Sequence, residues 1–233
     1  MAWQDQVHPH TPLTQVVAGL WAVQGSLPRS GLPRTMAVVE LEQGLLLHSG
    51  IALDDAGLEA LEALGPPRIL IVPNRMHRTD AAAYKERYPQ LQVVAPRAAR
   101  AAVEEIVPVD AVAEEILPTL GIEPLIPDGL KPSELVYRVP VASGCALLIT
   151  DLLFNLPHQR GLSGLVLRYL TRSTGGFKVT GLGRVMLVQD RSRLGRWLLQ
   201  LAEPEPVAIV VAHGDWITTD CAACLRQAAS ALS

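Results

Sequence analysis

Three apolar runs in this sequence each lead into a residue that can bind a metal ion or move a proton. Asp151 follows one run, His213 follows a second, and His77 lies a few residues after a third. Rigid scaffolds place reactive groups at strand ends, so we expect these runs to be strands that end at a shared site. One carboxylate and two imidazoles form a ligand set that suits zinc or ferrous iron.

The chemistry that this ligand set predicts is hydrolysis by metal-activated water. A catalytic zinc site uses about three protein ligands and leaves one position open. His77, Asp151 and His213 match that number and are the predicted ligands of one zinc or iron ion. A bound ion lowers the pKa of water and so supports hydrolysis. Asp215 and Asn155 are the predicted catalytic residues, which orient the water or a ligand.

A metal-free interpretation of the same residues stays open. An Asp at a strand end often caps a loop by bonding backbone amides, and Asp151 could have that role alone. His213, beside a glycine, could be equally structural. The chain would then hold no ion.

Composition limits the other classes of function. The chain has 233 residues, a net charge of -3 and three cysteines. The charge favours neither nucleic acid nor an anionic membrane as a partner, and no apolar run reaches the roughly 18 residues of a membrane span. An odd cysteine count without framework spacing, together with the lack of a secretion signal, predicts a cytoplasmic protein.

Two further patterns have plain explanations. Cys221 and Cys224 form a C-x-x-C pair in an Ala-rich helical pattern, which favours buried structural thiols because no second pair accompanies them. Eight basic residues lie between Arg160 and Arg196, with Asp190 as the only acid. They form a solvated face or, alternatively, a basic wall beside a pocket for an anionic ligand.

The order of predicted elements favours one domain over residues 1–233. Strands come first, then alternating strands and helices, then more strands, then a helix, a strand and a helix. This order predicts an α/β, four-layer αββα sandwich, in which two mixed β-sheets pack face to face and are flanked by helices. The predicted strands cover 16–23, 36–41, 44–48, 69–72, 91–94, 122–126, 135–139, 145–150 and 207–211, and the predicted helices cover 54–64, 80–88, 97–106, 191–202 and 218–232.

Two segments fall outside this regular pattern. Residues 1–14 are predicted to be a mobile N-terminal segment. Residues 156–183 are predicted to be a lid-like insertion that contains an amphipathic helix over 162–170. The alternative for this insertion is an ordinary covering helix or the contact of a homodimer.

The phrases around the two strand-end residues resemble those of the metallo-β-lactamase fold superfamily. The phrases are TDLLFN, from Thr150 to Asn155, and AHGD, from Ala212 to Asp215. The resemblance runs from about residue 16 to the end of the chain. It implies that Asp151 stands where the superfamily has a carboxylate bridging two metals, and His213 where it has a terminal histidine ligand.

The chain departs from the superfamily pattern at the other ligand positions. In place of the H-x-H-x-D-H loop it has PNRMHRTD over 73–80, with His77 as the one histidine. Leu130 stands where the Gly-His-Thr-Pro-Gly phrase has its histidine, and HSG over 48–50 replaces an Asp-x-Gly phrase. A two-zinc site is therefore not expected. A Pro-Asn-x-x-His loop is similar to that of the DUF4336-type branch.

The resemblance and the residues together predict a hydrolase-like protein of metallo-β-lactamase fold with a reduced, mononuclear metal site. Its expected partner is a small-molecule substrate, anionic if the basic stretch lines the pocket. The alternative is a metal-free binding or scaffolding protein of the same fold. An iron site with oxidoreductase activity is a third possibility, because neither the fold nor the ligands separate iron from zinc.

Overall fold

The computed structural model describes residues 3–27, 32–132, 134–158, 165–166, 169, 171 and 173–232. In this part of the chain, the first sheet has seven strands in sequence order. They are β1 (Thr14–Val17), β2 (Leu20–Ser26), β3 (Pro33–Leu41), β4 (Gly44–His48), β5 (Pro67–Ile71), β6 (Gln92–Ala95) and β7 (Ala111–Val112). Neighbours from β1 to β4 are antiparallel, and neighbours from β4 to β7 are parallel.

The second sheet is built from later strands. The remaining strands are β8 (Glu123–Leu125), β9 (Val136–Val141), β10 (Gly144–Ile149), β11 (Phe154–Leu156), β12 (Gly176–Lys178) and β13 (Ala208–Val211). Four of them form the second sheet in the order β13-β10-β9-β8, with β10 and β13 parallel. The strands β11 and β12 form a separate antiparallel pair.

Seven α-helices and two 3-10 helices complete the described elements. The α-helices are α1 (Asp55–Leu64), α2 (Ala81–Arg87), α3 (Arg100–Glu104), α4 (Ala113–Ile116), α5 (Gly181–Met186), α6 (Arg191–Ala202) and α7 (Cys221–Ser230), and the 3-10 helices are Trp3–Gln6 and Leu117–Leu120. Helices α1, α2 and α3 pack on the outer face of the first sheet. Helices α6 and α7 pack on the outer face of the second.

Side chains of the central strands alternate between two cores. In β10, Leu148 joins the core between the two sheets, whereas Leu147 and Ile149 face the helices of the outer layer. In β5, Ile71 faces the other sheet and Leu70 faces α1 and α2. A strand covered on both faces must be apolar throughout, which explains the continuous apolar runs. The predicted four-layer αββα sandwich is confirmed.

Local signals fix the helix starts. The side chain of Asp54 accepts a hydrogen bond from the N–H of Gly57 at 2.8 Å, and that of Asp190 accepts one from Arg193 at 3.0 Å. Each aspartate therefore satisfies one of the unpaired amides of a first helical turn. Helix α6 then buries Leu194, Leu198 and Leu201 on one face, as its spacing predicts.

Several predicted boundaries are wrong. The strand predicted over 16–23 is two strands, because Gly19 turns the chain at a φ of 86° between β1 and β2. The helices predicted over 97–106 and 218–232 are shorter, and the strands β11 and β12 had no prediction. The helix predicted over 162–170, and with it Arg160, Arg168 and Arg172 of the basic stretch, lies mostly outside the described residues.

The N-terminal segment makes defined contacts from Trp3 onward. The Trp3 indole donates a hydrogen bond to the carbonyl of Leu53 at 2.8 Å. Its ring meets that of Tyr84 edge-on, with centroids 5.1 Å apart.

No helix of the described residues has the length and apolar character needed to cross a bilayer.

Leu148 tests the importance of the core between the sheets, because it is fully buried there. We expect Leu148→Ala to lower the free energy of unfolding by about 2–5 kcal/mol, through lost apolar contact and a residual cavity. The exposed Leu199→Ala is the control and should change it by less than about 0.5 kcal/mol. Urea unfolding of both variants measures the difference, and equal losses would contradict this account of the core.

Candidate metal centre

The two sheets bring His77, Asp151 and His213 together at one edge of the sandwich. His77 lies in the loop after β5 of the first sheet, whereas Asp151 and His213 follow β10 and β13 of the second. Since β10 and β13 are parallel neighbours, their carboxyl ends lie side by side. One nitrogen or oxygen atom from each of the three residues lies within 4.8 Å of the others. Among the described residues, this is the group of side chains that could hold a metal ion.

The three side chains meet at a single carboxylate oxygen. His213 Nε2 lies 3.1 Å from Asp151 Oδ1, and His77 Nε2 lies 3.4 Å from the same atom. The two imidazole rings are tilted, with centroids 5.2 Å apart. The ring of Phe154 packs against His213 at 4.5 Å and shields it from one side.

The hydrogen bond at Nδ1 of the His213 ring determines whether Nε2, on the opposite side of the ring, carries a proton. His213 Nδ1 lies 2.6 Å from the carbonyl oxygen of Pro33. A carbonyl only accepts, so Nδ1 carries the proton, and Nε2 of the neutral ring presents a lone pair. That lone pair faces the Asp151 oxygen, so a cation must lie between them or the ring must be doubly protonated. The donor set therefore fits a metal ion such as zinc or ferrous iron.

Ser49 anchors the second imidazole. Its hydroxyl lies 2.6 Å from His77 Nδ1, which leaves His77 Nε2 directed at Asp151. Ser49 is buried and follows β4 directly, and its φ of 60° is in the left-handed region. Such strain in a non-glycine residue persists where the surrounding structure enforces it, as in functional sites.

Asp151 is held on its other atoms by Glu134 and Asn74. The Glu134 carboxylate accepts the backbone N–H groups of Asp151 and Leu152, at 3.0 and 2.8 Å. The Asn74 amide donates to Asp151 Oδ2 at 2.7 Å, and the Asn74 side-chain oxygen accepts the N–H of Met76 at 2.8 Å. Oδ1 of Asp151 is the oxygen that faces the two imidazoles.

Burial and neighbouring charges shift the pKa values of the groups around Asp151 in different directions. Burial opposes ionisation of Asp151, but His213 and His77, when their Nε2 atoms carry protons directed at it, outweigh burial and hold its pKa well below the usual range. Burial, together with the nearby Asp151 charge, raises the pKa of Glu134 to about 8. Burial lowers the pKa of His48 to about 3, with a smaller contribution from His77, so His48 is neutral at physiological pH.

A cavity of about 260 Å³ opens onto this group. Most of its wall is apolar, and several serine and threonine residues also line it. Besides the three residues of the group, its lining consists of Leu27, Leu32, Arg34, Ser49, Gly50, Met76, Thr79, Phe154, Thr171, Ser173, Thr180 and Leu182. A space of this kind suits a small molecule with few polar groups.

The two predicted catalytic residues contact each other outside the cavity lining. The Asn155 side chain donates to the backbone carbonyl of Asp215 at 2.8 Å, and the Asp215 N–H donates to the carbonyl of Asn155 at 3.0 Å. Gly214 lies between Asp215 and His213 at a φ of 114°, and a Cβ there would collide with the Asn155 carbonyl. This contact joins β11 to the chain that carries His213.

The other sequence candidates are not part of the group. His48 is buried with its Nε2 3.4 Å from the Thr150 hydroxyl, and Leu130 packs into the core under α6. Cys221 and Cys224 are free thiols, and burial, followed by Cys224, raises the pKa of Cys221 to about 11. In the basic stretch, Arg193 pairs with Asp128, and none of the described arginines between 160 and 196 lines the cavity.

Little in the sequence indicates the residues that support the group. Glu134 and Arg34 each stand near the start of a strand, where a charged residue usually means exposure, yet both are buried. The Pro-Asn-x-x-His spacing marked His77, and the structure adds that Asn74 of the same loop holds Asp151. Ser49 carried no signal beyond its place after an apolar run.

Comparison with known proteins gives the fold. No protein-family model matches the chain, and no curated protein matches its sequence. Solved structures do match, at low identity. The metallo-β-lactamase FIM-1 from Pseudomonas aeruginosa, in its mono-zinc form, has a TM-score of 0.61 at 13% identity, over 97% of each chain. The metallo-β-lactamase DIM-1 has a TM-score of 0.64 at 13% identity, over 97% of this chain and 100% of its own.

A metallo-β-lactamase from Pontibacter korlensis is similar at a TM-score of 0.58 and 14% identity, over 94% of this chain and 98% of its own. The likeness therefore covers nearly the whole length of each molecule. This chain has the metallo-β-lactamase fold, with its three candidate ligands at one edge of the sandwich.

Ser49 provides a test of the imidazole anchor. We expect Ser49→Ala to weaken zinc binding by about 10- to 100-fold, because partners that orient a ligating histidine contribute that much. Ser49→Gly is the matched variant, since it also lacks the hydroxyl but relieves the positive φ. Both should bind zinc more weakly in competition with a chromophoric chelator, and the glycine variant should melt at the higher temperature. Wild-type affinity in both variants would contradict the anchoring role.

Proposed function

We propose that this chain is a hydrolase-like enzyme of metallo-β-lactamase fold that holds one zinc or iron ion on His77, Asp151 and His213. The observation that carries the proposal is the His213 ring, whose Nδ1 is bonded to a carbonyl while its Nε2 faces the Asp151 carboxylate at 3.1 Å. An ion between those atoms removes the conflict between two acceptors. A fold neighbour with a single zinc, FIM-1 in its mono-zinc form, is consistent with this stoichiometry.

Each residue around the group has a defined task in this proposal. The Nε2 atoms of His77 and His213 and the Oδ1 atom of Asp151 hold the ion. Ser49 and the Pro33 carbonyl fix the two rings. A bound ion of this type lowers the pKa of a water molecule and polarises a carbonyl or phosphoryl oxygen.

The cavity wall selects the substrate and limits water. Apolar side chains such as Phe154 line part of the cavity, and electrostatic interactions are stronger beside an apolar wall than in open water. Hydroxyl groups such as those of Ser173 and Thr180 can hydrogen-bond a substrate. We therefore propose a small-molecule substrate. The water-orienting roles of Asp215 and Asn155, the homodimer, the lid-like insertion and the cytoplasmic location stay predictions.

We also propose a relation to the DUF4336-type branch of the superfamily. The support is the loop that begins at Pro73, because its Asn74 and His77 both contact Asp151. The Pro-Asn-x-x-His spacing thus has a physical purpose: the amide holds one carboxylate oxygen while the imidazole approaches the other.

A metal-free binding protein is the second candidate, and one observation favours it. If His213 is doubly protonated, its contact with Asp151 is a complete ion pair, and Asn74 satisfies the other carboxylate oxygen. The group then needs no ion. Leu130, where a superfamily histidine is expected, fits the same interpretation.

Metal content decides between the two candidates. Protein purified without chelator or affinity metal is analysed by ICP-MS, alone and after addition of zinc or iron. We expect about one equivalent of ion in the wild type and a loss of about tenfold or more in affinity for Asp151→Asn and His213→Gln, because each removes a direct ligand.

The control variants carry the same two kinds of substitution, Asp to Asn and His to Gln, at positions outside the group. Asp128→Asn alters an exposed carboxylate paired with Arg193, and His158→Gln alters an imidazole that contacts Thr174. Both should keep the wild-type metal content. A wild type that takes up neither ion, or that loses none in the two ligand variants, would overturn the metal site and favour the binding protein.

A further inference from the structure

Arg34 is a buried cation in the wall of the cavity. Only 5% of its surface is exposed, and it lines the same space as His77, Asp151 and His213. Arginine is almost never this buried unless it is paired. The groups that contact the Arg34 guanidinium therefore indicate its role.

The partner in the structure is Asp80, which satisfies only part of the guanidinium. Arg34 Nη2 lies 2.7 Å from Asp80 Oδ2, which also accepts the N–H of Ala52 at 3.0 Å. The angles of the Arg34–Asp80 contact do not make a hydrogen bond, and Arg34 Nε and Nη2 donate none to any described residue. Nε and Nη2 also have almost no accessible surface, so Nη1 is the nitrogen of the guanidinium that is left to donate to a ligand in the cavity.

The backbone around Arg34 fixes its place relative to the metal group. The carbonyl of Pro33 accepts the His213 Nδ1 proton at 2.6 Å, and the N–H of Thr35 donates to Ala212 at 2.9 Å. Arg34 lies between these two contacts. Its position relative to His213 is therefore set by the strand.

Arg34 also dominates the charge of the cavity. Among the described residues that line it, Arg34 and Asp151 are the only ones of the Lys, Arg, Asp and Glu types. Asp151 faces the two imidazoles, so Arg34 is the cationic part of the wall that the described residues form, and most of that wall is apolar. The N–H groups of a guanidinium bind carboxylate and phosphate oxygens through charge-assisted hydrogen bonds.

We infer that Arg34, held by Asp80, receives the oxyanion group of the molecule that this cavity binds, a carboxylate or a phosphate, while the apolar wall receives its body. This inference rests on the proposed function and deepens it by naming the substrate class. It assigns the anionic preference to Arg34 instead of the described arginines between 184 and 196.

The test requires variants that keep the fold. Removing Arg34 alone would leave Asp80 buried without its partner charge, which is strongly destabilising. Arg34→Met/Asp80→Asn removes both charges, and the asparagine oxygen still accepts the N–H of Ala52. Arg34→Lys is the second variant, because it keeps the charge and loses the planar fork.

A control pair exists on the surface. Arg193 and Asp128 are the same residue types at 2.6 Å, and both are exposed. Arg193→Met/Asp128→Asn therefore makes the same chemical change without touching the cavity. All variants are compared by thermal melting to verify that they fold.

Isothermal titration calorimetry then measures binding of hexanoate, inorganic phosphate and neutral hexan-1-ol. Each protein is titrated in a zinc-loaded and in a chelator-treated form, so that binding to the ion and binding to Arg34 are separated. We expect hexanoate or phosphate to bind the wild type and the control pair equally, and about tenfold or more weakly to Arg34→Met/Asp80→Asn, in both forms. Arg34→Lys should also bind the oxyanion more weakly, and hexan-1-ol should not distinguish the proteins. The tighter of the two oxyanions identifies the group.

Equal oxyanion binding by the wild type and the Arg34 variants would overturn the inference, as would a wild type that binds neither oxyanion. Zinc content, measured on the same samples, separates this result from the proposed function. A chain that takes up neither zinc nor iron but binds an oxyanion through Arg34 overturns the metal site alone. A chain that takes up zinc but binds oxyanions independently of Arg34 overturns only this inference.

Discussion

The contact between His213 Nε2 and Asp151 Oδ1 is the interaction on which the candidate site depends. The Pro33 carbonyl fixes the proton on the opposite ring nitrogen, and burial behind Phe154 prevents water from relieving the contact freely. Two acceptors cannot face each other at 3.1 Å without a positive charge. Asn74 and Glu134 hold Asp151 in place, and Ser49 holds the second imidazole.

The sandwich positions these atoms through strand register. Strands β10 and β13 pair in parallel, with Ile149 opposite Val211, so the residues that follow each strand emerge side by side. The start of β3 runs along the end of β13 and supplies the Pro33 carbonyl. Glu134 then holds the turn after β10 by accepting two backbone amides. The geometry of the group is thus determined by backbone contacts more than by the ligands themselves.

The architecture and the convergence of the three side chains could be predicted because both follow from local patterns. Continuous apolar runs indicate strands covered on both faces. The polar residue that follows such a run must then lie just beyond the end of the strand. The hairpin between β1 and β2 was missed because Gly19 interrupts an otherwise apolar stretch with a single turn.

The supporting residues could not be predicted for a different reason. Arg34 and Asp80 are 46 positions apart, and Ser49 and His77 are 28 apart, so their pairing exists only in the folded chain. No local pattern distinguishes a buried arginine at a strand start from an exposed one. Such residues are found by asking which buried polar atoms need a partner.

The origin of the three ligands in different sheets has a consequence for how the protein holds together. His77 belongs to the first sheet, and Asp151 and His213 belong to the second. An ion shared among them would link the two sheets at this edge of the sandwich. An ion that binds only the folded chain adds about 4 kcal/mol when its free concentration is 1,000 times its Kd. Metal starvation would then loosen this edge first, so the cell's supply of the ion would govern the protein's lifetime against proteases as well as its chemistry.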